Sequence, residues 1–178
     1  MALKPQDIYV VLKILANAPR WESYSLLAAE LVMSPSEVHA CVKRAQASSL
    51  MHGPAVESRP NISALEEFLI HGLKYVFPAQ RGEPTRGLPT SYGAEPLRSA
   101  LSLGGEEAPV WPYEHGRQRG VSLTPLYKTA PIAALRDPVF YEYLALADAL
   151  RDGRARERKI AEKELQRRLR RANGRSKS

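Results

Sequence analysis

The chain has one cysteine, Cys41, in 178 residues. That excludes an internal disulfide framework and any zinc site built from several thiolates, and it suits a reducing compartment. No apolar run approaches the ~20 residues that a bilayer-spanning helix needs. The first residues, MALKPQDIYV, lack the basic-then-apolar pattern of a secretory signal, so a cytoplasmic protein without membrane contact is expected. The four histidines, His39, His52, His71 and His115, fall in separate segments without metal-ligand spacing. A glycine-rich phosphate loop, a nucleophile elbow and a zinc-deaminase signature are all missing, so neither catalysis, a metal nor a cofactor is expected.

What is present is an apolar content of 44 %, enough for a core, and a formal charge of +7. The length suits one domain, or one small domain with an extension. The basic excess points to an acidic partner, nucleic acid first. Its placement is uneven. Residues 1–150 hold 14 Lys+Arg against 15 Asp+Glu, whereas residues 151–178 hold 12 against 4. Residues 78–137 carry 8 of the 14 prolines and 7 of the 11 glycines, which excludes long helices there. The expected fold class is mainly α, with a helical N-terminal domain over 1–62, a connecting helix over 63–77, a Pro/Gly-rich docked extension over 78–137 and C-terminal helices with a basic tail over 138–178.

In the N-terminal part, Ile8, Val11, Leu12 and Leu15 form one helical stripe behind Pro5 and Asp7, and Pro19 is expected to stop that helix. A second helix is expected from about Tyr24 to Val32, capped by Ser23, with Leu27, Ala28 and Leu31 facing inward. Ser34-Pro35-Ser36-Glu37 is a capping box with proline at the first helical position. Behind it Val38, Cys41, Val42 and Ala45 make an inner stripe, where the Cys41 thiol is expected to pack and not to react. Ser36, Glu37, His39, Ala40, Lys43 and Arg44 remain on or near the outer face. Two short helices joined by a tight turn, the second with a polar outer face, describe a helix-turn-helix.

The run Leu27-Ala28-x-x-Leu31-x-x-Ser34-x-x-x-Val38-x-x-x-Val42-Lys43-Arg44, followed by Ser49-Leu50-Met51, resembles MarR-like winged helix-turn-helix transcription regulators over about residues 4–62. The departure is Val32, which stands where that family usually has glycine. A β-branched residue tolerates the left-handed conformation poorly, so either a different turn or a shifted helix end is expected. The resemblance implies that the helix starting at Ser34 enters a major groove and that a wing touches the flanking backbone. Carried over by position, Ser34, Ser36, His39, Lys43 and Arg44 become DNA-contact candidates, Ser34 chiefly as a cap. Arg59 is the cation of a short wing over residues 52–61.

Farther on, Ser63-Ala64-Leu65-Glu66 offers another capping box, with Leu65, Phe68, Leu69, Leu73 and Val76 in helical spacing down to Pro78. Ile70 and Tyr75 widen the apolar arc, which suits either contact with a partner subunit or a fully covered core helix. Residues 77–90 are expected to be extended. Arg81 and Arg86 there either reach nucleic acid or anchor the arm on the protein's own carboxylates. Segments 110–113 and 119–123 are expected to pair as a short hairpin across Glu114-His115-Gly116-Arg117, and residues 99–108 to form an exposed loop. Trp111, Tyr113, Leu123, Leu126 and Tyr127 are too apolar for a free linker, so the region should dock on the helices.

Asp137-Pro138 reads as a helix start, with Phe140, Tyr143, Leu144, Ala147 and Leu150 inward. After Asp152-Gly153 a charged helix runs over residues 154–172, with Ile160, Ala161, Leu165 and Leu169 on one side. Its terminal cluster Arg167, Arg168, Arg170 and Arg171 is expected to have no acids nearby, which leaves a solvated face, nucleic acid and an acidic protein as readings. The function expected is a sequence-specific, homodimeric DNA-binding transcription regulator acting on double-stranded DNA. The alternatives are an antitoxin-type or adaptor module whose residues 78–178 hold a partner protein, and a non-specific nucleic-acid binder acting through the tail.

Overall fold

The computed structural model describes residues 1–18, 21–102 and 104–176. It is mainly helical, with 59 % helix and 13 % strand. Helix α1 (Pro5–Ala16) is buried continuously from Asp7 to Leu15, beyond the single stripe its periodicity predicts. The extra coverage comes from the C-terminal part of the chain, because α1 lies between α3 (Pro35–Ala47) and α8 (Pro138–Asp152). Buried polar groups on α1 are accordingly met from a distance in sequence. The Tyr9 hydroxyl lies 3.2 Å from both the Leu31 carbonyl and Thr129 Oγ1. Lys13 Nζ lies 2.6 Å from Asp137 and 3.4 Å from Glu30. Burial alone would raise the Asp137 carboxyl, but Lys13 and the backbone N–H of Phe140 hold it below its ordinary range. Pro19, expected to stop α1, lies outside the described residues.

Helix α2 (Tyr24–Leu31) starts at Ser23, whose hydroxyl accepts from the Leu26 N–H at 3.1 Å. It ends at Val32, which adopts φ 56 and ψ 48. Neither a different turn nor a shifted helix end is used: valine takes the left-handed conformation itself. That conformation costs a β-branched residue roughly 1–2 kcal/mol. Val32 is 38 % exposed, so its side chain packs little. Val32→Gly is therefore expected to raise stability by up to about 1 kcal/mol, after the ~0.5–1 kcal/mol entropy penalty of glycine, or ~2–4 °C in melting temperature. A lower melting temperature would instead assign Val32 a packing role that outweighs its strain.

After α3, strands β1 (Met51–His52) and β2 (Arg59–Pro60) pair antiparallel, Met51 with Pro60 and His52 with Arg59. The next helix begins two residues earlier than its sequence suggests. Asn61, not Ser63, caps α4 (Ile62–Glu67), accepting from the Ala64 N–H. A wide π-type turn over Phe68–Gly72 separates α4 from α5 (Leu73–Val76). Leu65, Leu69 and Leu73 are buried, but Tyr75 is 76 % and Val76 52 % exposed, so this is no fully covered core helix.

The Pro/Gly-rich middle folds into a three-stranded closed sheet, and this corrects the hairpin expectation. Strand β3 (Arg81–Pro89) pairs antiparallel with β4 (Pro109–Pro112), Leu88 opposite Trp111, and with β5 (Gln118–Leu123), Thr85 opposite Gly120. Two strands antiparallel to the same third strand must run alike. The ring therefore closes through parallel β4–β5 pairing, Pro109 with Val121 and Val110 with Ser122, and not across residues 114–117. So small a ring needs backbones in contact: a Cβ on Gly87 would lie 1.9 Å from the Trp111 carbonyl oxygen, and one on Gly120 2.0 Å from that of Ala108. Helix α6 (Leu97–Ala100) takes up the first residues of the expected 99–108 loop; Ser102 and residues 104–107 are exposed and Ala108 is buried.

The ring docks on α8 through a buried carboxylate. Asp148 accepts from Thr90 Oγ1 and from Trp111 Nε1, each at 2.7 Å, and from Arg151 at 2.7 Å. Arg151 also donates to the carbonyls of Thr124 and Phe77. Helix α7 (Ala130–Arg136) leads into α8, whose start is as the sequence indicates: Asp137 caps the Phe140 N–H at 3.0 Å and Pro138 follows. Helix α9 (Ala155–Ser176) lays Ala161, Leu165, Leu169 and Ala172 into the core. One apolar cluster joins Ile8 on α1 to Ala172 on α9.

Candidate nucleic-acid interface

Helix α3 carries most of the sequence-selected residues, and the structure sorts them into two groups. Its capping box is formed: Ser34 Oγ accepts from the Glu37 N–H at 3.3 Å, and Glu37 accepts from the Ser34 N–H at 3.0 Å. The Tyr127 hydroxyl donates to the other Glu37 oxygen at 3.1 Å. The Ser34 N–H and hydroxyl, then Tyr127, hold the Glu37 carboxyl below its ordinary range, with Lys128 adding to the effect. Ser34 and Glu37 are thus engaged in building the helix start.

Arg44 moves out of the candidate interface. Its guanidinium grips Asp7 in a forked pair, Nε at 2.9 and 3.0 Å and Nη2 at 2.7 Å. The Asp7 side chain is wholly buried and that of Arg44 only 12 % exposed. Nη2 also reaches Cys41 Sγ at 3.4 Å. Burial, followed by the neighbouring Asp7, pushes the Cys41 thiol up to about 12, so it is a packing group. The outer position of Arg44 on the helical wheel reflects α3 alone. Asp7, 37 residues earlier on α1, completes the pair and is invisible to local spacing.

Ser36, His39 and Lys43 form the exposed stripe of α3, at i, i+3 and i+7. The His39 ring meets Tyr24 edge-on at 5.0 Å, and Tyr24 meets Trp21 likewise. Trp21 Nε1 in turn donates to the Ser58 carbonyl at 2.9 Å, tying the α1–α2 connection to β2. Arg59 is half-buried on β2. Sequence reasoning missed Tyr24, which steadies His39, and Lys128, an exposed cation near the start of α3. Neither has a local signal, since both act across the fold.

The remaining arginines also divide. Arg81 forks onto Asp152, at 2.8 and 2.6 Å, so it anchors β3 to the end of α8. Arg86 is exposed and stands opposite Arg119 across β3 and β5. The terminal cluster does have acids close in space. Arg168 pairs with Glu142 at 2.8 Å and with Glu164, which also holds Arg167 at 2.6 Å. Arg170 and Arg171 are exposed without an ion pair among the described residues. Also among the described residues, no cluster of three His, Cys, Asp or Glu could hold a metal, and no helix is long and apolar enough to cross a membrane.

Comparison with protein-family models, curated proteins and solved structures finds no match.

Proposed function

We propose that the chain binds double-stranded DNA with sequence preference through Ser36, His39 and Lys43, as a MarR-like transcription regulator without enzymatic activity. The observation that carries this reading is the division of α3 into a fully buried inner stripe and an exposed polar one, held behind a tight turn from α2 and followed by a two-stranded hairpin. In that arrangement the exposed stripe meets base edges, and the hairpin, with Arg59, meets the flanking phosphates, as the wing of a winged helix-turn-helix does. Ser36 and Lys43 offer groove donors, and His39 is steadied by Tyr24. Arg44 and Glu37 are left out, since both serve the fold. One reading helix per chain suits a homodimer on two half-sites, for which exposed Tyr75 and Val76 supply apolar surface.

Selection from random duplexes tests the reading. The parent chain is expected to enrich a palindromic site, bound by two copies. The combined variant Ser36→Ala, His39→Ala, Lys43→Ala is expected to lose at least tenfold of the preference for it, since each good base contact discriminates by roughly 1–3 kcal/mol. Unchanged preference in that variant would remove α3 from the interface.

A further inference from the structure

We infer that α9 carries a second contact for duplex DNA, a phosphate-binding stripe of Arg156, Lys159, Lys163, Arg167 and Arg170; the inference rests on the DNA-binding reading above. These residues follow at intervals of three, four, four and three, so they share one helix face, and all are exposed. The opposite face, Glu157, Ala161, Leu165, Leu169 and Ala172, is buried. At ~1.5 Å per residue the stripe is roughly 21 Å long.

Elsewhere the fold uses its buried cations: Lys13 meets Asp137, Arg44 meets Asp7 and Arg151 meets Asp148. On the stripe only Arg167 has an ion pair, with Glu164; Arg156, Lys159, Lys163 and Arg170 have none among the described residues. Four neighbouring cations that the fold leaves uncompensated repel one another and are suited to a polyanion. The stripe contains no apolar residue, whereas a protein interface needs an apolar core and a membrane-surface helix needs an inserting face. It has no aromatic ring on which single-stranded bases would stack. Duplex DNA, with about one charge per 1.7 Å of axis, matches a straight cationic row. Near its end α9 turns its buried face to the hairpin: Ala172 lines one small cleft with Arg59, Trp21 and Ser58, and the stripe lies on the side away from it. The basic helix thus ends beside the hairpin, which has few cations of its own.

The test is the salt dependence of duplex binding by the full chain, with and without Arg156→Gln, Lys159→Gln, Lys163→Gln and Arg170→Gln together. These side chains lie outside the core, and thermal melting checks that the variant folds as the parent does. Losing four phosphate contacts is expected to make the slope of log K against log salt shallower by about 3 to 4, equally for preferred and random duplexes. An unchanged slope overturns the stripe, as does polyglutamate displacing DNA from the parent as effectively as an equal charge of competing duplex. The combined α3 variant separates the two ideas. If it keeps its sequence preference while the α9 variant loses slope, the α3 reading fails and the stripe stands. If the α3 variant loses preference and the α9 variant keeps its slope, the reverse holds.

Discussion

Asp148→Ala is expected to destabilise the protein by about 3–5 kcal/mol, a large share of the ~5–15 kcal/mol typical of a folded chain. The Asp148 side chain is 2 % exposed and that of its partner Arg151 5 %, so removing the carboxylate strands a buried guanidinium. Trp111 Nε1 and Thr90 Oγ1 lose their acceptor in the same step. Each buried donor left unsatisfied costs roughly 1–3 kcal/mol, and the indole cannot turn to water because Trp111 is 1 % exposed. Asp148 is also where β3, β4 and α8 meet, so its loss should loosen the ring against the helices before α1 and α3 separate. Denaturant unfolding followed by Trp111 fluorescence, in a Trp21→Phe background, and by far-ultraviolet circular dichroism measures both effects. The fluorescence transition should move to lower denaturant than the helical one. Asp148→Asn, which keeps one acceptor oxygen and the volume, should lose less. A loss below about 1 kcal/mol for Asp148→Ala would show that Arg151 finds sufficient partners in the Thr124 and Phe77 carbonyls.

The contrast between α8 and the ring shows which features were legible in the sequence. The start of α8 was readable because Asp137 and Pro138 act on a helix end that they themselves begin, and its inner stripe repeats within four residues. The α3 capping box and the Asp152–Gly153 break are local in the same way. The ring is the opposite case. Prolines and glycines in 78–137 correctly excluded long helices, but they do not encode a partner strand. Whether 118–123 runs parallel or antiparallel to 109–112 depends on β3, some 25 residues earlier, which read only as an extended arm. The π-type turn at Phe68–Gly72 likewise has no signal in the periodicity, since the apolar spacing there is that of an ordinary helix. At the candidate interface, Ser36, His39 and Lys43 were readable as one outer stripe. Arg44 was misplaced, because a wheel drawn for α3 does not contain α1.

Arg44→Ala should therefore unfold the protein more readily without reporting on DNA recognition at all. Removing the guanidinium leaves the Asp7 carboxylate, which is 0 % exposed, without a counter-ion. Breaking a buried pair from one side typically costs about 3–5 kcal/mol, far more than the ~0.5 kcal/mol expected at an exposed position such as Lys43. The Lys4 N–H, at 2.8 Å from Asp7, cannot replace a forked pair carrying a full charge. Chemical denaturation of Arg44→Ala, Asp7→Ala and the double variant measures this. The double variant should lose clearly less than the sum of the singles, with a coupling on the order of 1–3 kcal/mol, because removing both charges leaves neither stranded. Additive losses would mean that the two residues act separately and would reopen Arg44 as a surface group. Lys43→Ala, one residue away, should change stability by no more than about 0.5 kcal/mol and, under the proposed function, alter the choice of DNA sequence. A Lys43/Arg44 double substitution would confuse the two effects, so a test of the α3 interface has to leave Arg44 in place.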